Sequence, residues 1–200
     1  MVAGALAGLI TLLFSGFMEF WGEKLWFDEL GYNDRFWTVW LTKIGLFAGA
    51  FILGGLYVFL LTFSLKEGRQ KLIRYLAVFV SALLSGIWFY AEWEIVLKFV
   101  FRVSTAVNEP ILNLPTGFYL FVYPLLEILF STLLSLTIIA TAASLITSFK
   151  SEQNQNSSIT LREDFHKNKS LFTSAGVLLI VLAFGKFFDR YGLLFSNEGV

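Results

Sequence analysis

Two ionisable side chains fall inside long apolar runs, Lys43 and Glu127. In a low-dielectric medium an amine and a carboxylate can pair, hold a small ion or pass a proton. Either alone is costly, by about 2.5–3.5 kcal/mol for a lysine or aspartate at the centre of an inserted helix. Glu19, Glu92, Lys186 and Asp189 lie nearer the ends of apolar runs and can reach the headgroup layer by snorkelling. His166, the single histidine, sits among Arg162, Glu163, Asp164, Lys167 and Lys169 and reads as a solvated helix residue rather than a catalytic one. The chain has no cysteine, which excludes disulfides, thiolate metal sites and cysteine nucleophiles. It also lacks a phosphate-cradling glycine loop, a paired-histidine zinc motif and a serine elbow. No cofactor or metal site is therefore expected.

These residues are carried by a chain that is 56% hydrophobic and 15% charged, with a mean hydropathy of +0.70. Soluble domains carry roughly a quarter charged residues. A fold of this length in water would lack the polar side chains to cover its surface, so lipid is the expected solvent. Net charge is zero and there is no basic run, which sets nucleic acid aside as a partner. Most Trp and Tyr residues flank the apolar runs, as in interfacial belts.

A hydrocarbon core of about 30 Å needs roughly 20 apolar helical residues. Five stretches qualify: 2–21, 36–63, 72–93, 118–149 and 170–188. The second and fourth are long enough to tilt or to project beyond the core. No Lys or Arg precedes the first, and the chain near Phe14–Trp21 is aromatic and acidic, so a span fits better there than a cleaved signal peptide. The expected fold class is all-α, a polytopic transmembrane helical bundle of about five spans with short interfacial amphipathic helices, forming one membrane domain over residues 1–200. Lys66, Arg69, Lys71 and Arg74 lie between spans two and three, and Lys150, Arg162, Lys167 and Lys169 between four and five. By the positive-inside rule these loops are cytoplasmic, which puts the amino terminus inside and the carboxyl terminus outside a cell membrane.

Two outer connections are amphipathic. In Gly22–Leu30, charges alternate with Leu25, Trp26, Phe27 and Leu30, and Gly31 is placed to end a short surface helix. After span three, Glu94, Lys98 and Arg102 recur every four residues. Trp93, Val96, Leu97, Val100 and Phe101 make the other face, which predicts an interfacial helix. The polar run 151–158 reads as a loop, and Thr160 with Glu163 as a capping box opening the fifth helix. Small residues four apart recur at Gly4/Gly8, Gly45/Gly49, Ala50/Gly54, Ser81/Ser85, Ala82/Gly86 and Ser131/Ser135, a spacing that lets helices approach closely within a bundle. With this orientation Lys43 lies about 10 Å along span two, and Glu127 about 12 to 14 Å along span four or nearer its start if Pro124 opens the helix. Their depths overlap, so they are candidates for an intramembrane pair if their helices are neighbours; otherwise Lys43 snorkels outward and Glu127 sits in a first helical turn.

Several blocks resemble uncharacterised protein family 0182, prokaryotic multi-spanning membrane proteins. They are LWFDELGYNDRFWTVWLTKIGLF (25–47), EWEIVLKFV (92–100), NEPILNLPTGFYLFVYPLLE (108–127) and FGKFFDRYGLLFSNEGV (184–200). The last carries Asp189, Arg190 and Tyr191, which match an outer motif of that family. The resemblance implies further spans and a large external domain beyond Val200. It implies no activity.

Three functions follow. A structural module that anchors an external domain or binds envelope partners suits the scarcity of intramembrane charge. Its partners would be membrane lipid and self or other envelope proteins. A transporter or channel for a small solute or ion would need polar groups at mid-membrane depth, for which span four offers Thr132, Ser135, Thr137 and Thr141. Such hydroxyls usually bond back to their own helix. A membrane-embedded enzyme is the weakest reading, because no acid and base residues fall within reach of one another.

Overall fold

The computed structural model describes residues 2–65, 68–103, 113–152 and 169–192. Among them the regular structure is all helical: α1 Val2–Glu29, α2 Asn33–Leu61, α3 Gly68–Ala91, α4 Trp93–Val100, a π-helical turn Phe118–Val122, α5 Tyr123–Glu152 and α6 Lys169–Gly192. Four runs are long and apolar enough to cross a membrane: Asn33–Leu61, Gln70–Ala91, Phe118–Ser148 and Lys169–Gly192. The first expected span, 2–21, lies inside α1, which continues well past it. His166, the Thr160–Glu163 box and most of the polar run 151–158 lie outside the described residues.

The surface helix expected over Gly22–Leu30 is not a separate element, because α1 passes through Gly22 unbroken. One interior glycine costs a helix only about 1 kcal/mol, and the Lys24–Asp28 ion pair at 2.8 Å spans the following turn. The helix ends where the sequence places its stop. Gly31 has φ +73°, the Tyr32 N–H reaches the Phe27 carbonyl at 2.9 Å and the Gly31 N–H reaches that of Asp28 at 3.1 Å. This is a Schellman closure, which a residue with a Cβ would strain.

The chain divides into two compact units, Met1–Gly45 and Leu46–Val200. The first is a helical hairpin of α1 and the opening turns of α2. Its centre is Phe36, 1% exposed, ringed by Phe20 at 5.4 Å, Phe27 at 5.9 Å and Trp40 at 6.2 Å between ring centroids. Phe20 also meets Trp40 edge-on at 4.7 Å. The aromatic residues that mark this stretch as interfacial thus also close the hairpin.

In the second unit α5 is the hub, packing on α3, α4 and α6. Val58, Leu136 and Ala140 form the apolar core, flanked by Tyr57, Leu61, Ala77 and Val78. Pro124 lies within a continuous helical run rather than at its start. Proline has no N–H and collides with the carbonyl four residues back. The turn before it widens to π geometry, with the Tyr123 N–H bonded to the Phe118 carbonyl, which accommodates the ring without ending the helix.

Three of the small-residue pairs serve helix approach. A Cβ on Gly54 would overlap the Ser85 side chain, one on Gly55 would lie 3.2 Å from the Ala82 Cβ, and one on Gly86 would lie 2.9 Å from the Phe47 ring. Ala50/Gly54, Ser81/Ser85 and Ala82/Gly86 therefore form the α2–α3 seam. Gly4, Gly8, Gly45 and Gly49 face open space. Gly54→Val is expected to destabilise the bundle by about 1–3 kcal/mol through overpacking, whereas Gly49→Val stays close to neutral. Unfolding of the two variants in mixed micelles checks this, and equal losses would contradict the assignment of the seam.

Candidate functional site

The polar groups inside the second unit are almost all hydroxyls. Thr62, Ser81, Ser85, Thr137, Thr141, Ser144, Thr147, Ser170 and Ser174 are buried, while Leu53, Leu60, Leu72, Phe79, Leu179 and Ile180 are more than half exposed. Water-soluble packing is reversed, as expected where the solvent is hydrocarbon and helices associate through small and polar residues.

Among the described residues, side-chain hydroxyls bond across from helix to helix. The Tyr57 hydroxyl of α2 meets Thr137 Oγ1 of α5 at 2.8 Å. Ser85 Oγ of α3 donates to the Ala50 carbonyl of α2 at 2.9 Å. Ser144 Oγ of α5 lies 3.0 Å from Ser170 Oγ of α6, which also bonds the Leu61 carbonyl at the end of α2 at 3.0 Å. The other serine and threonine hydroxyls of span four bond backward, among them Ser131 to Ile128, Ser135 to Ser131, Thr141 to Thr137, and Thr147 and Ser148 to Ser144. Thr132 is the exception: its Oγ1 is buried without a partner. It lines a half-open groove of about 220 Å³ between α3 and α5 with Ser85, Trp88, Ser131, Ser135 and Leu136.

Arg69, Lys71 and Arg74, assigned from sequence to a cytoplasmic loop, are instead residues of α3, and Arg74 is only 7% exposed. The Arg74 guanidinium lies 5.0 Å from the Phe59 ring and 4.9 Å from the Tyr75 ring. Nη2 donates to the Tyr75 hydroxyl at 3.2 Å, and Nε has no acceptor. Nothing in its residue type set it apart from Lys66, Arg69 and Lys71; the available signal was its apolar setting, Leu-Ile-Arg-Tyr-Leu.

The charged candidates are distributed otherwise. Lys43 lies 5.8 Å from the Trp40 ring in the first unit, and Glu127 is an exposed residue of α5 in the second. The expected pair thus joins residues of separate units and stands as a proposal, with the distance from the Lys43 amine to the Glu127 carboxylate as its test. Trp93 opens α4, whose Glu94 and Lys98 form an exposed ion pair at 3.3 Å. Glu92, alone outside a helix, separates α4 from α3, and Arg102 lies just past the end of α4 with its guanidinium 4.5 Å from the Phe99 ring. Near the end of α6, Asp189 pairs with Lys186 at 3.0 Å. Arg190 stacks on Phe187 at 3.8 Å and donates to the Tyr191 hydroxyl, and Tyr191 packs on Phe118 at 5.5 Å. Among the described residues no cluster of His, Cys, Asp and Glu could hold a metal.

An all-helical chain with four membrane-length apolar helices and a hydroxyl-lined interior is an integral membrane protein by its physical character. The sequence profile of the Uncharacterised protein family (UPF0182) matches residues 1–72 and 61–200, and the chain belongs to that family. It is 30% identical to a UPF0182 protein of Thermobifida fusca (strain YX), over 95% of this chain and 21% of that protein. It is 27% identical to one of Clostridium perfringens (strain SM101 / Type A), over 96% and 23%. The chain thus spans about a fifth of the length of these relatives. No solved structure matches it.

The interhelical hydroxyl bonds predict a measurable coupling. A double-mutant cycle of Tyr57→Phe and Thr137→Val should give about 0.6 kcal/mol, and at most about 1.7, the range of side-chain hydrogen bonds in membrane helices. Strict additivity in steric-trapping or refolding equilibria would contradict it.

Proposed function

We infer that this chain is a structural membrane module, anchoring an external domain or an envelope partner without chemistry of its own. The observation that supports this most is the use of the buried hydroxyls. With the exception of Thr132, the buried serine and threonine hydroxyls of span four bond to helix carbonyls or to hydroxyls of neighbouring helices, which holds helices together. Lipid and envelope proteins, or a second copy of the chain, are its expected partners. In this reading the amino terminus is cytoplasmic, the carboxyl terminus external and the location a cell membrane. Helix α4 lies in the outer interface with Glu94, Lys98 and Arg102 toward headgroups, and Asp189, Arg190 and Tyr191 mark the outer rim of α6.

A second reading, passage of a small solute or ion, draws support from the α3–α5 groove and the unpartnered Thr132 hydroxyl within it. Exchange of this membrane module in a host relative for an unrelated bundle of equal topology separates the two. An anchor tolerates the exchange, and envelope composition stays as in the wild type. A transporter does not, and Thr132→Val with Ser135→Ala then abolishes uptake by the intact protein.

Orientation has its own test. A periplasmic-type phosphatase fused after Val200 should be active and one fused at Gln155 inactive. An active Gln155 fusion would invert the assignment.

A further inference from the structure

Arg74 is a buried cation with no carboxylate partner among the described residues. Its aromatic neighbours satisfy the faces of the guanidinium, not its edge. The edge carries the N–H fork that matches an oxyanion, and one hydrogen bond, to Tyr75, is made there. Nε is left bare at a site where an unmet donor on a charged group is costly.

The position of this fork narrows the ligand. Arg74 is four residues inside the apolar run that begins at Gln70, or about 6 Å along the helix, so its side chain spans the boundary between hydrocarbon and headgroups. Phe59, in the last two turns of α2, fixes it to the end of the bundle where α2 and α5 finish and α3 and α6 begin, an end tied together by Ser170, Ser144 and the Leu61 carbonyl. Lys71 and Lys169 are exposed near the starts of α3 and α6. The Tyr75 side chain, whose hydroxyl accepts from Nη2, is 55% exposed, so the Nη2 end of the guanidinium lies next to the lipid-facing surface while Nε is enclosed behind it. At that depth the oxyanion a bilayer supplies is phosphate.

We propose that Arg74 anchors a phosphate-binding site at this end of the bundle, the guanidinium turning its enclosed Nε together with Nη2 onto one phosphate group, with the Tyr75 hydroxyl as a further contact. The phosphate is carried by a lipid headgroup or is free in the adjoining water. Bound there, it neutralises the buried charge and ties α3 to the membrane surface, a lipid dependence that goes beyond a purely structural anchor.

The test uses the full chain in phosphate-free maltoside micelles, with native mass spectrometry and thermal unfolding read after addition of phosphatidylglycerol, a galactosyl diacylglycerol or inorganic phosphate. The wild type should retain phosphatidylglycerol and gain thermal stability from it, but not from the glycolipid. Arg74→Met should bind it about tenfold more weakly or worse, as expected for loss of a charge-assisted pair, and Arg74→Lys, with a point charge and no fork, should fall between. Lys71→Gln with Lys169→Gln should keep the effect, because those cations only add to the field. A gain from inorganic phosphate as well assigns the site to free phosphate, and a gain from the lipid alone assigns it to headgroups. Absence of any gain in the wild type, an equal gain from the glycolipid, a gain retained in Arg74→Met, or its loss in the double lysine variant would overturn the proposal. If Arg74→Met does not fold, the intermediate affinity of Arg74→Lys decides: an affinity equal to the wild type overturns it.

Discussion

A hydroxyl or an amide in hydrocarbon has no water to bond, and the second unit is organised around that fact. Backbone groups are met by the helices themselves. The side-chain hydroxyls must find acceptors within the protein, so they turn inward, and the leucines, isoleucines and phenylalanines turn out. Inward hydroxyls are small, which lets helices approach until glycine is needed at the closest points, as where Gly54 meets Ser85. One constraint thus sets which face of each helix is internal, how near the helices lie and which residues can occupy the contact. Arg74 marks the limit of the scheme, since rings and one phenol do not exhaust a guanidinium.

The consequences converge on α5. It carries the hydroxyls that meet α2 and α6, and it packs against α3 and α4. A kink or stop at Pro124 would separate α5 from Phe118, which precedes the proline and packs on Tyr191 of α6. The π turn keeps the run continuous, so the Phe118–Tyr191 contact near one end and the Ser144–Ser170 contact near the other belong to the same helix pair.

Much of the fold could be read from apolar run lengths. Spans two to five correspond closely to helices, and Gly31 was legible as a stop because a Schellman closure needs a left-handed residue. What periodicity could not settle was continuity. Gly22 and Pro124 both look like boundaries, and both lie inside helices, because one glycine is a weak break and a wider turn absorbs proline. The site was less legible. Lys43 and Glu127 stand out in the sequence, since charge is the conspicuous polar signal in an apolar run. The internal face is written instead in Ser and Thr at spacings of three and four, Thr137, Thr141, Ser144, Thr147 and Ser148 in α5, a minority stripe on a helix that is apolar all round. Arg74 was hidden by sitting close in sequence to three further cations, Lys66, Arg69 and Lys71.

The inward hydroxyl face is tested most directly by a single-cysteine spin-label scan of α5 from Thr137 to Ser148 in lipid bilayers, reading collision rates with oxygen, which dissolves in hydrocarbon, and with a water-soluble nickel chelate. Ile138, Ala142, Leu145 and Ile146, all exposed, should show high oxygen access. Thr137, Ala140, Thr141, Ser144 and Thr147, all buried, should be low for both reagents, as packed and dry positions are. High nickel access along the Thr137, Thr141 and Ser144 stripe would show a water-filled path in place of a hydrogen-bonded seam and contradict the structural-module reading at its root.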